Sequence, residues 1–316
     1  MSLDYQVLQA AAQWFAVLQS DRVSDDEREA WQRWLSDPEH KRAWRRVEQI
    51  SGRIVPLTRD PFGPQASALL QRRQPTRRQA LKTLTVVFGG GVLALSGGVM
   101  PWRSWVADQR TAVGEVRDWQ LPDGSQLWLN TDSAADVDLS DQVRQLSLYQ
   151  GELLVQASNE RRPLVLHTAE GSVKTDDAAR FSVLQRDGRT QLSVYDGSVE
   201  ARPANGRSRT ALRGQQISFD RRYIEPDRPV QMGRQAWVRG VLVADNLRLD
   251  DFVAELGRYR QGYLGCDPRI ASLRVVGAYP LADTERVLDV LANTLSLRVH
   301  RPLPWWVSLQ PAQAEV

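Results

Sequence analysis

Cysteine and histidine are scarce in this 316-residue chain, and their scarcity excludes two kinds of stabilising site. Cys266 is the only cysteine, so no disulfide can form within the chain. We expect the Cys266 side chain to be half-buried and to pack as a small apolar residue. The three histidines, His40, His167 and His300, have no cysteine or carboxylate at ligand spacing, which argues against a metal centre. We therefore expect no bound metal or cofactor.

Recognisable catalytic motifs are absent as well. The sequence contains no GxSxG elbow, no HExxH helix, no glycine-rich phosphate loop and no pair of carboxylates in a recognisable frame. The formal net charge of +3 is small for this length, so partners have to be inferred from where charge lies along the chain. We expect a protein that carries a signal and is not an enzyme.

Charge is missing altogether from residues 83–102, whose sequence is TLTVVFGGGVLALSGGVMPW. A helix of about 20 residues crosses the hydrocarbon core of a bilayer. The five glycines of this segment would make a poor helix in water. We therefore predict a single transmembrane helix.

The flanks of this segment predict its direction. Five basic residues precede it, namely Arg72, Arg73, Arg77, Arg78 and Lys82. Because positive charge stays in the cytoplasm, residues 1–82 should lie inside and residues 103–316 outside the inner membrane of a Gram-negative bacterium. Arg77 and Arg78 also belong to TRRQALK, which is similar to the twin-arginine export motif except that Ala80 stands where phenylalanine is usual.

Residues 1–50 predict three short amphipathic helices. Apolar residues at helical spacing occupy positions 11–18, and Ser24 opens a capping box with the sequence SDDE. Pro38 follows an aspartate N-cap at the start of the third helix. The four prolines of residues 51–75 favour a linker between this domain and the membrane.

Four tryptophans in so small a domain exceed what a three-helix core hides, so part of this aromatic surface should meet a partner. Residues 1–60 contain nine Lys/Arg and ten Asp/Glu, a net charge of −1. A DNA-binding domain is normally basic because phosphate neutralisation supplies most of its affinity, so a protein partner is favoured over nucleic acid. The predicted contact residues, several of which must also be core, are Trp14, Trp31, Trp34, Leu35 and Trp44.

Residues 111–223 are predicted to be all-β. Pro122-Asp123-Gly124 is a turn between short strands, and Asp187-Gly188 indicates a β-hairpin. Further short strands, including separate strands at Leu146–Tyr149 and Glu152–Gln156, recur at regular spacing. This spacing favours a β-sandwich or a solenoid-like stack.

Residues 236–311 change character. Helical stripes ending near Leu256 and Leu295 are each followed by short strands, which predicts a small α+β domain with internal duplication.

The predicted fold is a multi-domain membrane protein. Its parts are a helical cytoplasmic domain (1–50), a linker with the twin-arginine motif (51–82), a transmembrane helix (83–102), a periplasmic β-rich domain (103–225) and a C-terminal α+β domain (236–312).

These parts, in this order, resemble the FecR-type regulators, the anti-sigma factors of iron–siderophore cell-surface signalling. The resemblance covers nearly the whole chain. Its residues include SDDEREAWQRWLSDPEHKRAW, TRRQALK, LPDGSQLWLNTDSAADVD, YQGELLV and LGRYRQGYLGCDP.

The resemblance implies that the cytoplasmic domain binds a sigma factor of the extracytoplasmic-function (ECF) class. It implies that the C-terminal domain is similar to the short N-terminal module of secretins and TonB-dependent receptors. That domain would sense the signalling domain of an outer-membrane receptor loaded with ferric siderophore, and periplasmic and intramembrane proteases would then free the cytoplasmic domain. For the receptor contact we expect Leu256, Tyr259, Leu264 and Leu273.

Some FecR-type proteins cleave themselves at a Gly-Thr bond by an N-to-O acyl shift. Gly197-Ser198 places a comparable hydroxyl directly after a glycine, so self-cleavage is a hypothesis for this chain.

Three alternative functions stay open at this point. The main one is a membrane-anchored transcription regulator whose helices bind DNA directly. The others are an envelope enzyme, which needs a convergent polar site within residues 111–223, and a scaffold that links the inner membrane to the envelope.

Overall fold

The computed structural model describes residues 4–18, 23–54, 107–140 and 144–312. The predicted transmembrane segment, residues 55–82 of the linker and the Arg77-Arg78 pair lie outside these residues. Within the part of the chain that is described, no helix is long and apolar enough to span a bilayer.

The N-terminal region is helical, as the sequence predicts. Its helices are α1 (Tyr5–Leu18), α2 (Asp25–Trp34) and α3 (Pro38–Ile54), so α3 continues past the predicted boundary at residue 50. The predicted capping box is present, with the Glu27 N–H donating to Ser24 Oγ at 3.2 Å and the Ser24 N–H donating to Glu27 Oε2 at 2.9 Å. It satisfies two backbone donors at the start of α2 that the helix itself leaves unpaired.

Within residues 107–140 and 144–229, thirteen strands form the β-rich region. They are β1 (Gln109–Arg110), β2 (Arg117–Gln120), β3 (Gln126–Leu129), β4 (Ala134–Leu139), β5 (Arg144–Ala157), β6 (Leu164–His167), β7 (Gly171–Thr175), β8 (Ala179–Arg186), β9 (Arg189–Asp196), β10 (Ser198–Pro203), β11 (Arg209–Leu212), β12 (Gln215–Phe219) and β13 (Arg228–Pro229). The longest path through the sheet is β11-β10-β7-β6-β5-β8-β9-β12-β13.

Strand β5 joins the two halves of this sheet. Its first half pairs with β4 and β6, and its second half pairs with β3 and β8. Both halves contribute side chains to one core, including Leu146 and Leu166 from the first and Leu127, Phe181 and Ile217 from the second. The prediction of two separate strands at Leu146–Tyr149 and Glu152–Gln156 is therefore wrong, because one strand runs through both.

From Leu249 onwards the C-terminal part combines helices and strands in the order that the sequence predicts, but the 3₁₀ helix at Met232–Arg239 and the strand Val241–Arg248 were not predicted. Its elements are β14 (Val241–Arg248), α4 (Leu249–Leu256), β15 (Tyr263–Cys266), β16 (Arg274–Pro280), α5 (Thr284–Thr294), β17 (Leu297–Leu303) and β18 (Trp306–Pro311). Strand β14 pairs with β16, and the second sheet has the order β15-β18-β17. Cys266 is half-buried, and this burial raises the pKa of its thiol to about 11.

A second core is shared between the β-rich region and the C-terminal part. Leu154, Tyr195 and Val230 pack in the same cluster as Phe252 and Leu256 of α4. Helix α1 also contacts β17, and the ring of Phe15 lies 5.5 Å from that of Trp305.

Candidate functional site

The N-terminal helices present an incompletely covered aromatic cluster. Among the described residues, their buried apolar side chains are small or aliphatic, namely Leu8, Ala11, Ala12, Ala43 and Val47. All five predicted contact residues, Trp14, Trp31, Trp34, Leu35 and Trp44, are half-buried. Because alanines offer little apolar surface, the indole rings keep part of their area in solvent, as expected of residues that also meet a partner.

The aromatic rings divide into two groups. Trp44 packs between Trp31, at a centroid distance of 5.2 Å, and Phe15, at 5.9 Å. Trp34 instead stacks on His40, at 4.5 Å and an interplanar angle of 7°, and His40 Nδ1 lies 2.8 Å from the Trp34 carbonyl oxygen. Trp44 thus holds α1, α2 and α3 together, whereas Trp34 lies beside the turn between α2 and α3.

The predicted receptor-contact residues are not all on the surface. Leu256 is completely buried in the shared core, so this side chain supports the fold and cannot touch a partner. Tyr259 is 6% exposed, and its hydroxyl accepts a hydrogen bond from Asn130 at 2.8 Å. Leu264 is half-buried, and Leu273 is the most exposed of the four.

Strand β16 carries an apolar surface that the sequence analysis missed. Val276 is 69% exposed, three residues beyond Leu273, and β14 is the only strand paired with β16 among the described residues. An unpaired strand edge that carries apolar side chains is suited to pairing with another chain. Helical and strand periodicity do not reveal which edge of a sheet stays open, so this surface could not be found from the pattern.

Gly197 and Ser198 lie at an exposed turn between β9 and β10. Gly197 has a φ of 75°, and the Arg213 N–H donates to its carbonyl oxygen at 3.0 Å. Ser198 is exposed, so its hydroxyl is accessible next to a carbonyl that a backbone donor polarises.

A buried polar cluster explains the LPDGS motif. The Arg144 and Asp123 side chains, 2% and 4% exposed, form an ion pair at 2.8 Å, and Ser125 Oγ donates to Asp123 at 3.0 Å. The Ser158 N–H donates to Ser125 Oγ at 3.0 Å. Burial raises the pKa of Asp123, but hydrogen bonds from Ser125 and Arg144 outweigh this effect and lower it. The Arg144 and Asp123 side chains are buried and paired with each other inside the protein, so they do not support the envelope-enzyme alternative.

Two family models match separate parts of the chain. Residues 107–200, which include β1–β9 and the first residues of β10, match the model described as FecR protein. Residues 9–50, which include α2 and most of α1 and α3, match a domain of unknown function, DUF4880. No curated protein matches the chain.

Two crystal structures of a putative anti-sigma factor from Parabacteroides distasonis ATCC 8503, at 1.65 Å and 2.50 Å resolution, share the fold. They superpose with TM-scores of 0.53 and 0.52 at 20% sequence identity, covering 64% of this chain and 98% and 97% of theirs. At this identity the likeness concerns the fold alone. A DUF4880 region ahead of a FecR region supports the resemblance of the chain to the FecR-type anti-sigma factors.

Proposed function

We propose that the chain is an anti-sigma factor whose N-terminal helices bind an ECF sigma factor. The observation that carries this proposal is the set of half-buried tryptophans on helices whose region has a net charge of −1. Large aromatic side chains dominate protein–protein contacts, whereas DNA binding depends on positive charge. The matches to the FecR and DUF4880 models and the name of the Parabacteroides distasonis protein support the same function.

Capture from the native host tests this proposal. We expect the tagged full-length chain, extracted in mild detergent, to retain one ECF sigma factor that mass spectrometry identifies. The complex should survive moderate salt, because its apolar contacts are not screened. If the chain instead retains DNA, with a retention that falls steeply with salt, and retains no sigma factor, the membrane-anchored DNA-binding regulator is the correct function.

The uncharged segment 83–102 is proposed to cross the inner membrane, with the helices in the cytoplasm and residues 103–316 in the periplasm. The asymmetry of basic residues supports this direction, and Arg77 and Arg78 fit an uncleaved export signal that acts as an anchor. In the inserted chain a bilayer would separate Phe15 from Trp305, so the proposed topology requires that these two rings do not touch in the membrane.

A cross-link tests this topology. In a Cys266→Ser background, we expect Phe15→Cys and Trp305→Cys to join under oxidation in detergent-free, uninserted chain and to stay unlinked in native membranes. A cysteine pair across β14 and β16, Val243→Cys with Ala278→Cys, serves as the control because these positions pair directly and should link in both samples. Efficient linkage of positions 15 and 305 in sealed membranes would contradict the proposed topology.

The C-terminal part is proposed to bind the signalling domain of a TonB-dependent receptor loaded with ferric siderophore. The exposed side chains of Val276 on β16 and of Leu273 just before it support this role, and Leu264 of β15 is half-buried. Release of the sigma factor would follow cleavage of the chain by periplasmic and intramembrane proteases. The FecR-type resemblance is the support for the siderophore signal and for the proteases.

Self-cleavage between Gly197 and Ser198 is a second candidate activity. It is favoured by the exposed hydroxyl of Ser198 and by the Arg213 N–H bound to the Gly197 carbonyl. We expect purified chain to contain a fragment beginning at Ser198 and the Ser198→Ala variant to stay intact, as read by intact-mass spectrometry. A single full-length species from the unsubstituted chain would end this proposal.

A further inference from the structure

A buried polar joint connects the β-rich region to the C-terminal part. Glu152 of β5 is completely buried, and its Oε2 accepts hydrogen bonds from Asn130 at 2.9 Å and from Arg258 Nη1 at 2.7 Å. Asn130 Nδ2 also donates to the Tyr259 hydroxyl at 2.8 Å, and Thr131 Oγ1 donates to the Arg258 carbonyl at 3.0 Å. Asn130, Thr131 and Glu152 belong to one side of the joint, and Arg258 and Tyr259 to the other.

Further ion pairs extend this joint, so that acidic and basic side chains alternate from one pair to the next. Arg258 also pairs with Glu255 of α4 at 2.5 Å, and Glu255 pairs with Arg234 of the 3₁₀ helix at 3.3 Å. Burial raises the pKa of Glu255, but Arg234 and Arg258 outweigh it and lower the pKa to about 2. Arg234 and Arg258 therefore favour the charged form of Glu255.

The joint restricts the relative orientation of the two parts as well as holding them together. Among the described residues, Glu152 Oε1 and Arg258 Nη2 are buried and have no hydrogen-bond partner. A buried ion pair with unsatisfied atoms gains little over a well-packed apolar contact, but it penalises every arrangement in which the charges separate. This combination favours one fixed orientation of the two parts.

Apolar packing runs beside the charges. Leu154 of β5 and Tyr195 of β9 share a core with Leu249, Phe252 and Leu256 of α4. Since α4 contributes both to this core and, through Glu255, to the joint, it cannot move relative to β5 without breaking both sets of contacts.

We propose that Asn130, Glu152, Arg258 and Tyr259 are coupling residues that make the β-rich region and the C-terminal part move as one body. This inference rests on the proposed receptor contact at β16: a partner that binds or pulls there would displace the β-rich region as well. It assigns the LNT and RY segments of the FecR-type motifs to signal transmission, and Tyr259 to the joint instead of the receptor surface.

Hydrogen exchange on the full-length chain in detergent tests the coupling without any partner. In the unsubstituted chain, we expect amides of residues 126–139 and 249–256 to exchange through a single common opening. Arg258→Met leaves Glu152 without its ion-pair partner and Glu255 with Arg234 alone, so the two segments should open separately and faster. Arg248→Met is the matched control, because its ion pair with Asp250 is 42% and 40% exposed and its loss should leave exchange unchanged.

Glu152→Gln provides a second variant that keeps the shape of the side chain. If Arg258→Met does not fold, the same measurement is made on Glu152→Gln, in which separate opening of the two segments would support the inference. A common opening that persists in the substituted chain, or separate opening already in the unsubstituted chain, would overturn the inference.

A transcription reporter for the captured sigma factor extends the test to signalling. We expect Arg258→Met to lose the response to the inducing siderophore while still retaining the sigma factor, and Arg248→Met to respond normally. A normal response in Arg258→Met overturns the coupling role. Failure of the unsubstituted chain to retain any sigma factor would instead overturn the proposed function and leave the exchange result standing.

Discussion

Gly151→Ala is expected to reduce the free energy of unfolding of the β-rich region by about 2–5 kcal/mol, combining left-handed strain with overpacking. Gly151 has a φ of 84°, a conformation that residues with a Cβ rarely adopt. A Cβ there would overlap Ser133 Oγ and lie 2.7 Å from Ser133 Cα, which belongs to the backbone and cannot rotate away.

The effect should extend beyond the site of substitution. Ser133 Oγ accepts a hydrogen bond from the Glu152 N–H at 2.9 Å and donates to the Thr131 carbonyl at 3.0 Å. Displacing Ser133 therefore disturbs Thr131 and Glu152, two residues of the buried joint. We expect chemical unfolding, followed by tryptophan fluorescence, to show a lower midpoint.

Gly188→Ala is the matched control. Gly188 also has a positive φ, 71°, but nothing lies within 4 Å of a Cβ built there. It should therefore cost only the conformational strain, about 1–2 kcal/mol. Equal losses in the two variants would mean that the close approach of Gly151 to Ser133 does not matter.

Local signals could be predicted from the sequence because they depend on a few neighbouring residues. The capping box at Ser24 and the hairpin at Asp187-Gly188 are both confirmed, and the hairpin pairs Arg186 with Arg189. In each case the side chains or the glycine satisfy the local backbone directly, whatever the rest of the chain does.

Long-range arrangement was harder to predict. Two strands were predicted on either side of the glycine in YQGELLV, yet the positive φ of Gly151 lets β5 continue and cross from one half of the sheet to the other. Leu256 and Tyr259 are three residues apart, and this helical spacing is equally compatible with a surface that contacts a partner and with a buried core. Only the position of Asn130, which is more than a hundred residues away in sequence, shows that Tyr259 lies in a joint.

The candidate sigma-binding surface was predicted by residue type, but the pattern could not separate core from contact. Both roles need large apolar side chains at the same helical spacing, and all five predicted residues prove half-buried. The ring contacts now distinguish them, since Trp44 is enclosed by Phe15 and Trp31 while Trp34 is stacked only on His40 among the described ring pairs.

Trp34→Ala is therefore expected to weaken capture of the sigma factor by about 30-fold or more, corresponding to a hot-spot loss of about 2 kcal/mol. The circular dichroism of the full-length chain should be almost unchanged, because the ring stacks only on His40 across the turn between α2 and α3 among the described ring pairs and does not join either helix to α1. Binding is measured by titrating the captured sigma factor against the purified full-length variant.

Trp44→Ala removes the same indole ring from a position that supports the fold and not the proposed contact with the sigma factor. Because Trp44 packs against both α1 and α2, its loss should unfold the N-terminal helices, and binding should disappear together with their helical signal. Gln32→Ala, an exposed position on α2, should change neither property. If Trp34→Ala binds normally, the contact face must lie on the α1 side of the cluster, where Trp14 is the remaining half-buried tryptophan outside the Trp31–Trp44 pair.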